Sequence, residues 1–182
     1  FEQMLARIER DYQSYPGLVR DCVSYIACGR YGMTSEELQT LLKTHAPRLD
    51  PAIEPVKLPD MLWARLHRTF GAYLINRAGV TDFFHTQLKD AVGRHYLGKE
   101  TERNRVHKTI ADYFETRWRE PYTRALSELP HQRTKANDWD GLETILTDLY
   151  FIEAKCAAGI TYDLITDYNL ALGGLPEAQK EK

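Results

Sequence analysis

No stretch of this chain approaches the ~18 consecutive apolar residues that a membrane-spanning helix requires, and no cleavable leader is visible. Cysteine is scarce, with Cys22, Cys28 and Cys156 the only three in 182 residues. The first two fall on one expected helix but point to different sides of it, and no pair has metal-ligand spacing. An odd, sparse set of this kind fits buried thiols in a reducing compartment, which places the chain in the cytoplasm. A surplus of charge is also missing. Lysine and arginine number 24 against 26 acidic residues, a net charge of −2, where a dedicated nucleic-acid binder carries a clear basic excess. Catalytic signatures are absent too: the chain has no G-x-x-x-x-G-K-[ST] loop, no H-E-x-x-H, no G-x-S-x-G and no paired-cysteine zinc pattern. The segment is therefore not expected to be an enzyme.

What is present is ordinary soluble-protein material, 43% hydrophobic and 27% charged. The length slightly exceeds one average domain, and ~150 residues suffice to bury about 70% of the unfolded surface. The chain opens on Phe1 rather than Met and enters a helical pattern at once, so it reads as cut from a longer polypeptide.

Residues 2–12 place Met4, Leu5, Ile8 and Tyr12 on a helical stripe that Pro16-Gly17 breaks. Residues 1–17 are read as the end of an upstream module, packing on whatever precedes it. A second helix follows, with Leu18, Val19, Cys22, Val23, Ile26 and Ala27 at the three-four spacing of a buried face, ended by Gly29. Thr34 or Ser35 with Glu36 or Glu37 predicts an N-cap for a third helix through Leu38, Leu41 and Leu42. Pro47, Pro51 and Pro55 make residues 45–57 a loop. Pro59-Asp60 starts a fourth helix with Leu62, Trp63, Leu66 and Phe70 inside.

The period then changes. Residues 73–76 and 80–84 are short β-branched or aromatic runs around Arg77-Ala78-Gly79, which predicts a hairpin. A helix follows at once, with His85 at its mouth and Leu88, Ala91, Val92 and Tyr96 as its apolar positions. A helix mouth offers unpaired N–H groups and a positive dipole end, so His85 either meets an anion such as phosphate or caps its helix.

Three helices and a hairpin are the order of a winged-helix domain, assigned to residues 18–98. The expected fold class is mainly α: a winged-helix domain with a small β-hairpin, then an α-helical, repeat-like arm over 99–174 and a polar tail over 175–182. Within the arm, helices are expected around 102–118, from Pro121, after Asn137-Asp138, over 151–158, and over 160–172 with Gly173-Gly174 ending it. Trp139, Leu142, Leu146 and Leu149 are expected to share a face. Trp63, Trp118 and Trp139 are read as core. His67, His95, His107 and His131 stand singly in helical patterns and are read as structural or surface residues.

A winged helix invites a DNA reading, with residues 60–72 as recognition helix carrying Arg65, His67 and Arg68, and Arg77 on the wing. That helix is instead dominated by large apolar residues, and the basic residues of 59–97 are opposed by Asp60, Asp82 and Asp90. Nucleic acid is not the expected partner.

The stretch Val23-Ser24-Tyr25-Ile26-Ala27-Cys28-Gly29-Arg30-Tyr31-Gly32-Met33-Thr34-Ser35-Glu36-Glu37-Leu38 resembles the opening of the winged-helix domain of STAND signal-transducing ATPases of the NACHT and NB-ARC kind. Further landmarks are Trp63-x-x-Leu66, Phe83-Phe84-His85 with Leu88-x-x-Ala91-Val92, and His107-x-x-Ile110-Ala111-Asp112-Tyr113-Phe114. Arg124-Ala125-Leu126-Ser127-Glu128-Leu129-Pro130 and Ala136-x-x-Trp139 continue the likeness, so it covers most of the chain. Members often carry WD or tetratricopeptide repeats.

The resemblance implies a regulatory segment that holds an upstream nucleotide-binding domain of the same chain in its ADP-bound resting state. It also implies downstream sensor repeats, and activation through a homo-oligomer. No cofactor would be bound by this segment alone; ADP or ATP with Mg would belong to the parent protein, whose P-loop lies upstream. A family histidine in a Met-His-Asp motif touches the ADP β-phosphate, and His85 matches it. Phe84 and Thr86 replace the flanking Met and Asp, so only the histidine contact carries over. The alternatives are a stand-alone helical protein-binding scaffold using the seams of 102–172, and the DNA-binding module.

Overall fold

The computed structural model describes residues 1–47 and 55–174. Part of the expected loop over 45–57, residues 48–54, lies outside the described residues, as does the tail over 175–182. The chain is mainly helical with one small antiparallel sheet. It divides into two units, Phe1–Glu102 and a second from Arg103 onward.

In the first unit, α1 (Glu2–Asp11) buries Leu5 and Ile8, and Tyr12 just beyond it is buried as well. The sequence assigned residues 1–17 to an upstream module. Within the first unit α1 packs on α2 (Leu18–Cys28) and on α5 (Thr86–Tyr96), because its apolar stripe is matched by theirs. Arg65 lies over the Tyr12 ring at 5.0 Å, and the Tyr12 hydroxyl meets Thr69 Oγ1 at 3.2 Å.

Gly29 ends α2 as expected. The helix cap that follows is reciprocal. Thr34 Oγ1 accepts from the Glu37 N–H at 3.2 Å, while buried Glu37 accepts from the Thr34 N–H at 2.6 Å. This starts α3 (Ser35–Leu41), which tightens into a 3₁₀ turn over Leu42–His45. Next comes α4 (Asp60–Phe70), which buries Leu62, Trp63, Leu66 and Phe70.

The hairpin pairs β2 (Leu74–Arg77) with β3 (Val80–Phe83) in the register Leu74 to Phe83. Its turn is Ala78-Gly79, both at positive φ (52° and 85°), the geometry that suits the strands' right-handed twist. A third strand was not anticipated. β1 (Met33–Thr34) adds to β3, giving the order β1-β3-β2. Two residues carry no readable alternation, and β1 forms only because Gly32 lets the backbone close on β3. A Cβ there would sit 2.4 Å from the Thr81 carbonyl oxygen, and Gly32 has a φ of +83°.

The second unit is an array of short helices: most of α6 (Glu100–Glu115), then α7 (Thr123–Lys135), α8 (Trp139–Leu146), α9 (Leu149–Ala157) and α10 (Thr161–Gly174). α7 packs against α8, α9 and α10. Asp138 caps α8 through the Gly141 N–H at 3.1 Å, and Asp148 caps α9 through the Tyr150 N–H at 2.9 Å. Because Asp148 caps it, α9 starts earlier than expected. Leu149 therefore leaves the face of Leu142 and Leu146 and is 77% exposed. Trp63 and Trp118 are buried as expected, whereas Trp139 is only half-buried, under the end of α10. Cys22 and Cys28 are buried, but Cys156, expected to be buried, is exposed on α9. Among the described residues, no helix is long and apolar enough to cross a membrane.

Candidate functional site

His85 stands where strand gives way to helix. Alternation along β3 buries Phe83 and turns Phe84 outward, 60% exposed. The Phe84 N–H donates to the Tyr73 carbonyl at 2.9 Å, which carries the hairpin one residue further. His85 then takes an extended conformation (φ −112°, ψ 124°) as the residue before α5, and its carbonyl accepts from the Leu88 N–H at 3.0 Å. Leu88, Ala91 and Val92, the apolar positions read from the sequence, are buried and anchor the helix.

The imidazole is exposed and makes no cap hydrogen bond to α5. The capping role considered from the sequence is thus not the one its side chain plays. Two aromatic rings flank it instead: Phe84 edge-on with centroids 4.7 Å apart, and Phe1 at 6.3 Å. The ring is held at the side while its nitrogens remain open to an acceptor. The first turn of α5 contains no acidic residue, so the helix itself brings no carboxylate to its amide ends and positive pole; Glu2 stands nearby, with Arg94 Nε 3.6 Å from its Oε1. A recess of about 280 Å³ lies alongside, lined by Phe1, Glu2, Gln3, Gln87, Ala91 and Arg94.

The remaining histidines are tied into local structure. His67 packs on Trp63 with centroids 5.5 Å apart, and His95 lies edge-on to Tyr96 at 4.5 Å. His107 is buried, with Nδ1 2.6 Å from Gln132 Oε1; His131 packs beside it, with ring centroids 6.5 Å apart. Gln132 Nε2 donates to Glu128, so the amide oxygen faces His107 and Nδ1 is the donor. Burial lowers the His107 pKa, which keeps the ring neutral. Burial, reinforced by Asp21, pushes the Cys22 thiol up to about 12, so it is no nucleophile.

Sequence reasoning missed several polar groupings. His45 Nε2 lies 3.0 Å from Asp21 on α2. Arg133 on α7 pairs with Asp112 at 3.5 Å and also with Glu115 and Asp138. Lys155 and Asp167 form an ion pair wholly inside the second unit. These residues are far apart in the chain or on different helices, and only the weak signal of a charge at an otherwise apolar helix position marks them. A groove of about 740 Å³ runs between the α6–α7 connection and α9, with Trp118, Tyr122, Leu126 and Tyr150 among its walls. No group of three or more potential metal ligands occurs among the described residues.

With this geometry in view, the chain is similar to parts of much larger proteins. It is 30% identical over 171 residues to a TPR repeat-containing protein of Dictyostelium discoideum, covering 93% of this chain and 10% of that protein. It is 31% identical over 140 residues to NACHT domain- and WD repeat-containing protein 1 of Homo sapiens, covering 70% of this chain and 9% of that one. The mouse protein of the same name is 28% identical over 128 residues, covering 64% and 8%. The chain spans about a tenth of the length of these curated relatives. No protein-family model and no solved structure matches it.

Proposed function

We propose that this chain is the regulatory segment of a STAND-type NTPase: a winged-helix domain over 18–98 and a helical arm beyond it. It would hold the upstream nucleotide-binding domain in its ADP-bound resting state and relay a signal from downstream sensor repeats. The single observation that carries the reading is His85, exposed and without a capping bond at the mouth of α5, in a chain similar to NACHT domain-containing proteins. The element order supports it as well. Helix, short strand, two helices and hairpin, with the first strand added to the second arm of the hairpin, is an order that supports the winged-helix reading.

ADP fits the residues present, since an imidazole N–H beside free helix amides suits a phosphate. The segment takes no chemical step of its own. ATP hydrolysis, with its Mg, belongs to the nucleotide-binding domain. His85 supplies a charge-assisted hydrogen bond worth ~1.5–3 kcal/mol, made only in the closed arrangement. Its loss shifts the closed-to-open ratio by roughly ten- to a hundredfold. The test is the nucleotide extracted from the purified full-length parent, wild type beside His85→Ala. ADP retained by the wild type and lost or rapidly exchanged by the variant is the expected result, with leaky activation. Neither protein binding nucleotide overturns the reading.

A second reading, a protein-binding scaffold, draws support from the groove between the α6–α7 connection and α9. It predicts partner affinity that ignores nucleotide. DNA binding loses support from Arg65, which lies over the Tyr12 ring and reaches the Asp11 carbonyl at 3.5 Å, so α1 occupies part of the face a major groove would need.

A further inference from the structure

His85 is held by rings rather than by hydrogen bonds. Its imidazole is exposed and makes no cap bond to α5. Phe84 stands edge-on to it, with centroids 4.7 Å apart and planes at 85°. Phe1 lies 6.3 Å away, tilted by 32°. Phe1 in turn meets Tyr73 edge-on at 6.2 Å and 87°. The Phe84 N–H donates to the Tyr73 carbonyl at 2.9 Å, and this bond closes the circuit through the hairpin backbone. The start of α1, the end of the hairpin and the mouth of α5 are thus joined around one imidazole.

The other way to fix an imidazole spends one of its nitrogens. His45 commits Nε2 to Asp21 at 3.0 Å, and His107 commits Nδ1 to Gln132 at 2.6 Å. An edge-on ring orients its neighbour through shape and quadrupole, and it leaves both imidazole nitrogens for a ligand. Phe84 is free to do this because the core does not need it. Its ring is 60% exposed, while Phe83 beside it is buried. Its backbone is nonetheless fixed by the bond to Tyr73, so the ring starts from a set place.

We infer that Phe84 is the positioning residue of His85: its ring holds the imidazole ready to present an N–H to the β-phosphate of ADP, with Phe1 and Tyr73 backing the arrangement. The inference rests on the proposed function, in which that phosphate is the histidine's ligand. Ordering a free side chain at the moment of binding lowers affinity by roughly two- to tenfold. A ring already in contact removes that cost before the ligand arrives. Phe84 itself touches no nucleotide and acts through His85 alone.

The test is a double-mutant cycle in the full-length parent, read as the release rate of preloaded fluorescent ADP. Phe84→Ala, His85→Ala and the two together are compared with wild type, beside Phe84→Tyr, which keeps the ring. Phe84→Ala should speed release by roughly two- to tenfold, less than His85→Ala does. Added to His85→Ala, the same change should do nothing further, to within about twofold. Phe84→Tyr should release ADP at the wild-type rate. Any general loss of stability cancels in the cycle. Equal acceleration in both backgrounds overturns the inference, because the ring then acts independently of the imidazole. A Phe84→Tyr variant as fast as Phe84→Ala overturns it too. A fast His85→Ala beside an unaffected Phe84→Ala removes the positioning alone and leaves the nucleotide switch standing. A parent that binds no ADP, or a His85→Ala variant that releases it at the wild-type rate, removes both.

Discussion

The two units of this chain cohere by different means. The first is an apolar core closed by a small sheet, and its polar devices sit at element ends: the Thr34–Glu37 cap and the pair of His45 with Asp21. The second carries polar groups through its middle. Arg133 gathers Asp112, Glu115 and Asp138, Lys155 is sealed against Asp167, and His107 is wired through Gln132 to Glu128. Apolar packing between helices is tolerant of sliding, since one leucine substitutes for another along a ridge. A buried ion pair is not tolerant, because any slip leaves a charge without its partner. The difference suggests that an array of short helices sets its register with charge, while a unit that contains a sheet sets it with strand pairing.

The largest effect should come from breaking that register device. Asp167→Ala leaves the Lys155 ammonium buried and alone, and should cost about 3–5 kcal/mol. Urea unfolding followed by Trp118 and Trp139 fluorescence reports it. The double change Lys155→Met with Asp167→Leu restores most of the loss if the pair acts through register rather than net stability. A double variant as unstable as Asp167→Ala would show that the pair is needed for energy.

The corresponding blow to the first unit is Gly32→Ala. The positive φ alone should cost about 1–3 kcal/mol, and the approach to the Thr81 carbonyl adds to it. Gly79→Ala is the control, with φ of +85° but open space around its Cβ position. If the two variants lose equal stability, β1 contributes nothing beyond its turn.

The smallest effect is pH dependence confined to the second unit. Burial lowers the folded His107 pKa below its usual value near 6.5, so the folded state binds fewer protons than the unfolded one across that interval. Its contribution is complete above about pH 6.5 and is lost as the pH falls through the lower folded value. Thermal melts between pH 7.5 and 5 should show this decline, and His107→Gln should flatten it. A wild-type profile that His107→Gln leaves unchanged would remove His107 as its cause.

Much of the fold was legible because its signals are local. Gly29, Thr34 with Glu37, Pro59 before Asp60, and the Ala78-Gly79 turn mark element ends through backbone chemistry that acts over a few residues. The line of Leu88, Ala91 and Val92 behind His85 was legible by period. β1 was not, since a two-residue strand is defined by its neighbour. Leu149 went astray because Asp148 takes the cap, and a cap outweighs one apolar position in setting where a helix begins.

The sequence by itself determined a mainly helical chain with one hairpin, a histidine at a helix mouth, and the lack of any long apolar run. Those properties follow from periodicity and short-range chemistry. Only the tertiary structure decided that α1 belongs to the first unit, that the His85 ring makes no capping bond, and that Lys155 faces Asp167. Each of these depends on which faces meet, and burial is a property of pairs of elements distant in the chain, which no local pattern encodes.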